Sequence, residues 1–519
     1  MQTQFDHANA QPQQPGHSGE GTAEGWPMPA LVLVVATGLV LGILLVYQGI
    51  HKGFFSGLTE VDDGVYYGEG LLMAHGVLPY HSYIDIQPPG IALLMAPFGL
   101  LARVTSERVG FEVARIFIVL VAVANVALLG RLIRRRHWAG VLTGLAVLAF
   151  YEDSLIADHT ILLEPILVLT TLLAFLVVFD DLETATASSA RWLGAGVLLG
   201  VCSSIKLWGI FPFVVLLCFA YKQGRRCLAR FVAGGVVAFG IICLPFFVLA
   251  PSAFWHEVVV VQATRAHIDQ NPLKRLGTLL GVTGHVGPSL AVWAILGVCV
   301  VGSLVLARRS APDGWVTNLD VAAMACAVIV GLSFLVSPEF DAHYGGFLAP
   351  FMALVFSATA VRLVPLGRTV VPVVIAVVIV LFIGHSVKNV VNETRLSPPD
   401  AALDRIFSPH SCVFVPDYGP VILTNRYNLF ESNCPRVVDP YGTELTDGGG
   451  YADVAADARS PEVQADWADW LRHTDGLVLF GPLSSYPDMD PAVKAYIRSN
   501  YTLAAKSDGL YIYRHVGRT

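Results

Sequence analysis

Between Thr59 and Gly90 the chain reads TEVDDGVYYGEGLLMAHGVLPYHSYIDIQPPG, which sets Glu60, Asp62, Asp63, Glu69 and Asp85 among four tyrosines directly after the first long apolar run. Two adjacent carboxylates disfavour each other's ionisation, so one of Asp62 and Asp63 can act as a base toward a hydroxyl while the other is held ionised by a cation or donor. A solvated acidic turn would have the same composition. Further on, DHTILLEPILVL places Asp158, His159 and Glu164 at the mouth of another apolar run, where a carboxylate must be paired or hydrated. Lys206 interrupts GVLLGVCSSIKLWGIFPFVV; at that depth it must snorkel or meet an anion, either a lipid phosphate or a neighbouring Glu. Arg265, with His267, Lys274 and Arg275, makes the stretch 251–287 basic, as an anionic headgroup would require and as simple solvation also permits. His343 and Tyr344 precede an apolar run and could contact phosphate or sugar, or belong to an interfacial aromatic belt. A divalent cation, if one is used, would draw on the oxygens of Asp62, Asp63 and Glu164.

The elements that must hold these residues are membrane helices. At 519 residues, 54% hydrophobic and 14% charged, with mean hydropathy +0.60, the chain is too apolar for a soluble protein. Its net charge of −7 comes without any basic stripe, which argues against nucleic acid. Apolar runs from Pro29 to Tyr47 and at 111–133, 138–151, 161–179, 192–205, 207–221, 229–250, 288–307, 318–336, 345–364 and 369–390 predict about eleven spans. Residues 91–103, interrupted by Pro97, predict an interfacial or re-entrant helix. Basic clusters at 131–137 and 221–230, Arg308-Arg309, Arg362 and Arg368 fall on one side, which the positive-inside bias makes cytoplasmic. The expected organisation is therefore a disordered cytoplasmic tail over 1–28, a transmembrane module over 29–391 with outer loops 51–110, 152–160, 251–287 and 337–344, and an extracytoplasmic α/β domain over 392–519. Cys412 and Cys434 lie in that last domain, in a compartment where thiols are oxidised, and predict a disulfide.

Four features together resemble the first external loop of the GT-C superfamily of polytopic glycosyltransferases, which use lipid-phosphate sugars and include protein O-mannosyltransferases and the lipid A aminoarabinose transferase. They are the Asp62-Asp63 pair, the tyrosine pair starting at Tyr66, the G-x-x-PY from Gly76 to Tyr80, and the Q-PPG from Gln87 to Gly90. The resemblance implies that Asp62 is the base and that Tyr66, Tyr80 and Gln87 lie near the donor, with Gln87 standing where a cation is commoner. It also implies that Glu164-Pro165, beside His159, corresponds to a second-loop acid that places the acceptor or a divalent ion, and that His343-Tyr344 corresponds to a step contacting the donor. The expected fold is mainly α and polytopic. The expected activity is inverting transfer of a sugar from a polyprenyl-phosphate carrier to an envelope glycan, lipid or protein acceptor at the outer face of the plasma membrane. Lys206, Arg265 or His343 would stabilise the departing phosphate. A transporter or flippase for a lipid-linked or anionic substrate is the alternative that the intramembrane Lys and Glu leave open.

Overall fold

An apolar segment with no water around it must satisfy its backbone internally, and here the apolar runs do so as helices. The computed structural model describes residues 26–180, 182–265, 271–279, 297, 300–302, 316–392, 395–431, 433–448 and 454–518. The main helices are α1 (Met28–His51), α2 (Val61–Ala74), α3 (Gly90–Val104), α4 (Glu107–Ile133), α5 (Trp138–Phe150), α6 (Glu152–Ala157), α7 (Glu164–Val178), α8 (Ser189–Ile205), α9 (Ile210–Lys222), α10 (Arg225–Leu249), α11 (Asn318–Val336), α12 (Gly345–Leu363) and α13 (Val370–Asn392). Among the described residues, six segments are long and apolar enough to cross a membrane: α1, α4, α10, α11, Ala342–Leu366 and Val370–Asn389. Helices α3, α5, α7, α8 and the stretch Leu207–Lys222 are apolar but shorter. The expected span at 288–307 lies almost wholly outside the described residues.

The segment 51–110, expected to carry a helix over 91–103, forms α2 as well as that helix, α3. Asp62 and Asp63 occupy the first turn of α2, where carboxylates complement the helix dipole. The helix then lies tightly against α3, and the contact depends on glycine: a Cβ on Gly99 would stand 2.5 Å from the Gly70 carbonyl oxygen. Because α3 packs in turn on α4, the acids of α2 are fixed to the rigid bundle.

The two ends of the bundle differ. Beyond the C-terminal end of α4, Arg136 pairs with Glu183 at 2.6 Å and Asp320 at 2.7 Å, and Arg362 pairs with Asp320 as well. At the other end of α4, about 40 Å away for a helix of this length, the C-terminal domain is docked. There the Tyr427 amide donates to Glu107 at 2.9 Å, Arg108 pairs with Asp400 at 3.1 Å, and the Leu58 amide donates to the Leu396 carbonyl at 3.0 Å.

That domain holds a four-stranded sheet in the order β1 (Val413–Phe414), β2 (Gly476–Phe480), β4 (Leu510–His515), β3 (Tyr501–Ser507). The first pair is parallel and the others antiparallel. Val463, Trp467, Trp470 and Leu471 of the helix Pro461–Arg472 and Val493 and Ile497 of Pro491–Asn500 pack on Phe414, Leu477 and Leu479. Cys412 and Cys434 form a disulfide with a Cα–Cα separation of 5.4 Å, closing a loop that contains β1 and the helix Gly419–Leu423 and buries Val415, Tyr418, Ile422 and Tyr427.

Candidate active site

A polar cleft of about 40 Å³ opens where α2, the 85–87 turn, the end of α8, Arg265, the 339–344 segment and the C-terminal domain meet. Asp62, Tyr66, Glu69, Asp85, Gln87, Lys206, Arg265, Glu339, Asp341, Tyr344, Asp439 and Tyr441 line it. Of the residues singled out in the sequence, Asp62, Tyr66, Gln87, Lys206, Arg265 and Tyr344 are thus brought together.

Asp62 accepts a hydrogen bond on Oδ2 from the Tyr66 hydroxyl at 3.1 Å. Lys206 follows the last turn of α8; its Nζ lies 3.3 Å from Glu164 Oε1, 3.5 Å from the Trp208 ring centroid and 4.3 Å from that of Tyr344. Two aromatic faces and one carboxylate fix the ammonium while it still lines the cleft. Arg265 pairs with Glu339 and lies over the Tyr441 ring. Burial raises Glu339 to about 7, against the pull of Arg265. Burial likewise raises Asp439 to about 6, although the Gly442 amide that it caps at 2.8 Å favours its charged form. In Asp341 burial outweighs the pull of His343 and raises the pKa.

Residues 86–338 match the family model for Glycosyltransferase family 87. Among solved structures the chain is similar to ArnT from Cupriavidus metallidurans in the apo state, with TM-score 0.56, 15% identity and coverage of 93% of this chain and 97% of that one. It is equally similar to ArnT from the same organism bound to undecaprenyl phosphate, with TM-score 0.55, 15% identity and coverage of 94% and 98%. No curated protein sequence matches the chain. The chain carries the GT-C glycosyltransferase fold.

Within this GT-C fold the remaining residues from the sequence take other places. Asp63 is 1% exposed and turned away from the cleft: Arg115 grips Oδ2, the Thr59 hydroxyl donates to the same oxygen at 2.5 Å, and the Ile161 amide donates to Oδ1 at 2.7 Å. Glu164 is buried beside Lys206 and faces a small internal void lined by Asn125, Ser154 and Asp158. His159 is buried on the Phe54 ring, with Nδ1 donating to the Leu155 carbonyl at 2.5 Å and Nε2 accepting from Arg395 at 3.3 Å. Burial, then Arg395, holds its pKa well below the usual histidine value, so it is neutral. Tyr80 does not line the cleft. Its backbone is left-handed at φ 64°, and its hydroxyl donates to the Gln87 carbonyl at 2.5 Å, so it shapes the turn that presents Gln87. His343 is buried and lies near Glu60, whose pKa burial raises while His343 and Arg395 pull it down. Both Asp63 oxygens and Glu164 Oε1 are engaged in these contacts while Glu164 Oε2 has no hydrogen-bond partner, and among the described residues no group of three or more His, Cys, Asp or Glu side chains is placed to hold a metal ion.

Arg115, Glu339, Asp341, Asp439 and Tyr441 were not anticipated as site residues. Arg115 carried a usable signal, since it is a charge inside an apolar run like Lys206. The other four belong to segments that reach the cleft only through tertiary docking.

Proposed function

We propose that the cleft transfers a sugar from a polyprenyl-phosphate carrier to an acceptor hydroxyl of the cell envelope, at the outer face of the plasma membrane. The observation that carries this reading is the joint placement of one acid at a helix start, Asp62, and two fixed cations, Lys206 and Arg265, in one cleft beside the apolar bundle. The match to a glycosyltransferase family supports it, as does the undecaprenyl phosphate bound to ArnT, a protein of the same fold. The arginine-rich end beyond α4 is then cytoplasmic, and the cleft and C-terminal domain lie outside, where nucleotide sugars are absent and a lipid can deliver an activated sugar laterally.

In the reaction Asp62 takes the proton of the acceptor hydroxyl as its oxygen attacks the anomeric carbon. The bond from that carbon to the phosphate oxygen breaks with its electron pair on oxygen, and the polyprenyl phosphate leaves against Lys206 and Arg265. A single displacement inverts the anomeric centre. A transport role is less well served, because Lys206 and Glu164 are tied to each other and the acids gather at one end of the bundle. The test is transfer of labelled sugar to membrane acceptors by the protein in nanodiscs. Labelling from a polyprenyl-phosphate sugar and none from the corresponding nucleotide sugar is the expected result; the reverse preference overturns the reading.

A further inference from the structure

Glu69 and Asp85 line the cleft at 2% and 1% exposure, and each has a buried oxygen, Glu69 Oε2 and Asp85 Oδ2, with no hydrogen-bond partner. A buried carboxyl oxygen without a donor is costly, and it persists where a ligand supplies the missing bond. Asp85 is also held in one orientation. Its Oδ1 accepts from the Gln87 amide at 2.8 Å, and its own amide donates to Glu257 at 2.8 Å, which leaves Oδ2 as the open acceptor.

The charges in the cleft give these two acids a position relative to the rest. Lys206 sits against the Tyr344 ring and Arg265 against Glu339 and Tyr441, so the cations gather on the 339–344 side, whereas the Asp85 amide is bonded to Glu257. Asp62 and Glu69 lie seven residues apart on α2, on one face of that helix, and both line the cleft, so the acidic wing runs along α2 from Asp62. A lipid-phosphate sugar with its phosphate on the cations and its anomeric carbon beside Asp62 extends its ring toward Glu69 and Asp85. We propose that Glu69 and Asp85 are the sugar-binding residues of this site, gripping hydroxyls of the transferred sugar remote from the leaving phosphate and so setting which sugar is accepted.

This proposal rests on the lipid-donor reading and deepens it. Burial raises both carboxyl groups well above the usual range, so the pair can keep a proton and offer an O–H donor as well as acceptors, which suits a neutral hydroxyl that both donates and accepts. Asp439, which also acts on both acids, brings the C-terminal domain to the same wing.

The test measures binding to the full-length protein in nanodiscs of bare polyprenyl phosphate and of a panel of polyprenyl-phosphate hexoses and pentoses, together with singly deoxygenated forms of the tightest binder. Wild type should prefer a sugar-bearing lipid over the bare lipid and lose about tenfold for at least one deoxy form. Glu69→Gln and Asp85→Asn should bind bare polyprenyl phosphate as wild type does, bind the full sugar about tenfold more weakly, and no longer distinguish it from that deoxy form. The unchanged affinity for the bare lipid shows that the variants are folded. If both variants keep wild-type affinity and discrimination, or if wild type shows no preference for any sugar over the bare lipid, the assignment is overturned. If wild type does not bind bare polyprenyl phosphate at all, the lipid-donor reading falls instead.

Discussion

The chain buries acids in two neighbouring places and treats them in opposite ways. Around Arg115, Asp63 is surrounded by donors: the guanidinium grips it while its N–H groups also donate to the carbonyls of Phe54, Phe55 and Gly57 at 2.7, 2.9 and 2.9 Å. One residue earlier, Asp62 opens onto a cleft where Glu69 and Asp85 keep unpaired oxygens. Sequence adjacency puts the two acids on different sides of the same helix turn, because successive helical residues are rotated by about 100°. A saturated cluster ties segments together, whereas an unsaturated one has capacity left for a ligand.

The largest effect should come from the saturated cluster. Arg115→Ala leaves Asp63 buried without its partner, and breaking such a pair typically costs about 3–5 kcal/mol. The protein should show a sharply lower thermal midpoint or fail to accumulate in the membrane; an unchanged midpoint would remove the structural role of the Arg115–Asp63 pair. Asp62→Asn should behave in the reverse manner, lowering transfer at least about 10²-fold with the midpoint intact. Near-normal turnover in that variant would dissolve the contrast between the neighbours.

Smaller is the expected consequence of Lys206→Ala, an increase of about tenfold in the donor KM from the loss of one charge-assisted contact. A donor KM equal to wild type would return Lys206 to a purely structural partner of Glu164. Smallest is a pH effect at the domain junction. Burial raises Asp417 to about 7 and Asp439 to about 6, above their unfolded values near 4. Each then binds a proton more readily in the folded state, so the stability they contribute is full below about pH 4 and is lost as pH rises through about 6–7. The thermal midpoint should fall between pH 5 and pH 8, and Asp417→Asn should flatten part of that fall; a slope unaltered by the substitution would count against it.

Much of the bundle could be read from apolar runs, because a helix in lipid must be apolar and long, and both properties are visible in one dimension. The strands at Val413, Gly476 and Leu510 and the helices at Pro461 and Pro491 carry the same kind of signal, as each buries an apolar face. Strand β3 was not: four of its seven residues are exposed and its composition is that of an edge. At the site, Asp62 and Lys206 stood out as charges in the wrong company. Which of two adjacent acids faces the cleft depends on where Arg115 arrives from, and that is a fact of packing. The contributions of Glu339, Asp341, Asp439 and Tyr441 depend on the docking of distant segments, for which local pattern holds no information.

The place of Asp439 and Tyr441 in the cleft has a bearing on biogenesis. The ribosome delivers Asp62 early and the C-terminal domain last, and at about 5–20 residues per second that final domain takes on the order of ten seconds to synthesise. Throughout that interval the helices are in the bilayer among lipid carriers, yet one wall of the cleft does not exist. On the proposed function, competence waits for the docking of the C-terminal domain onto Glu107 and Leu58, and nascent chains stalled short of it leave the lipid-borne sugar unconsumed.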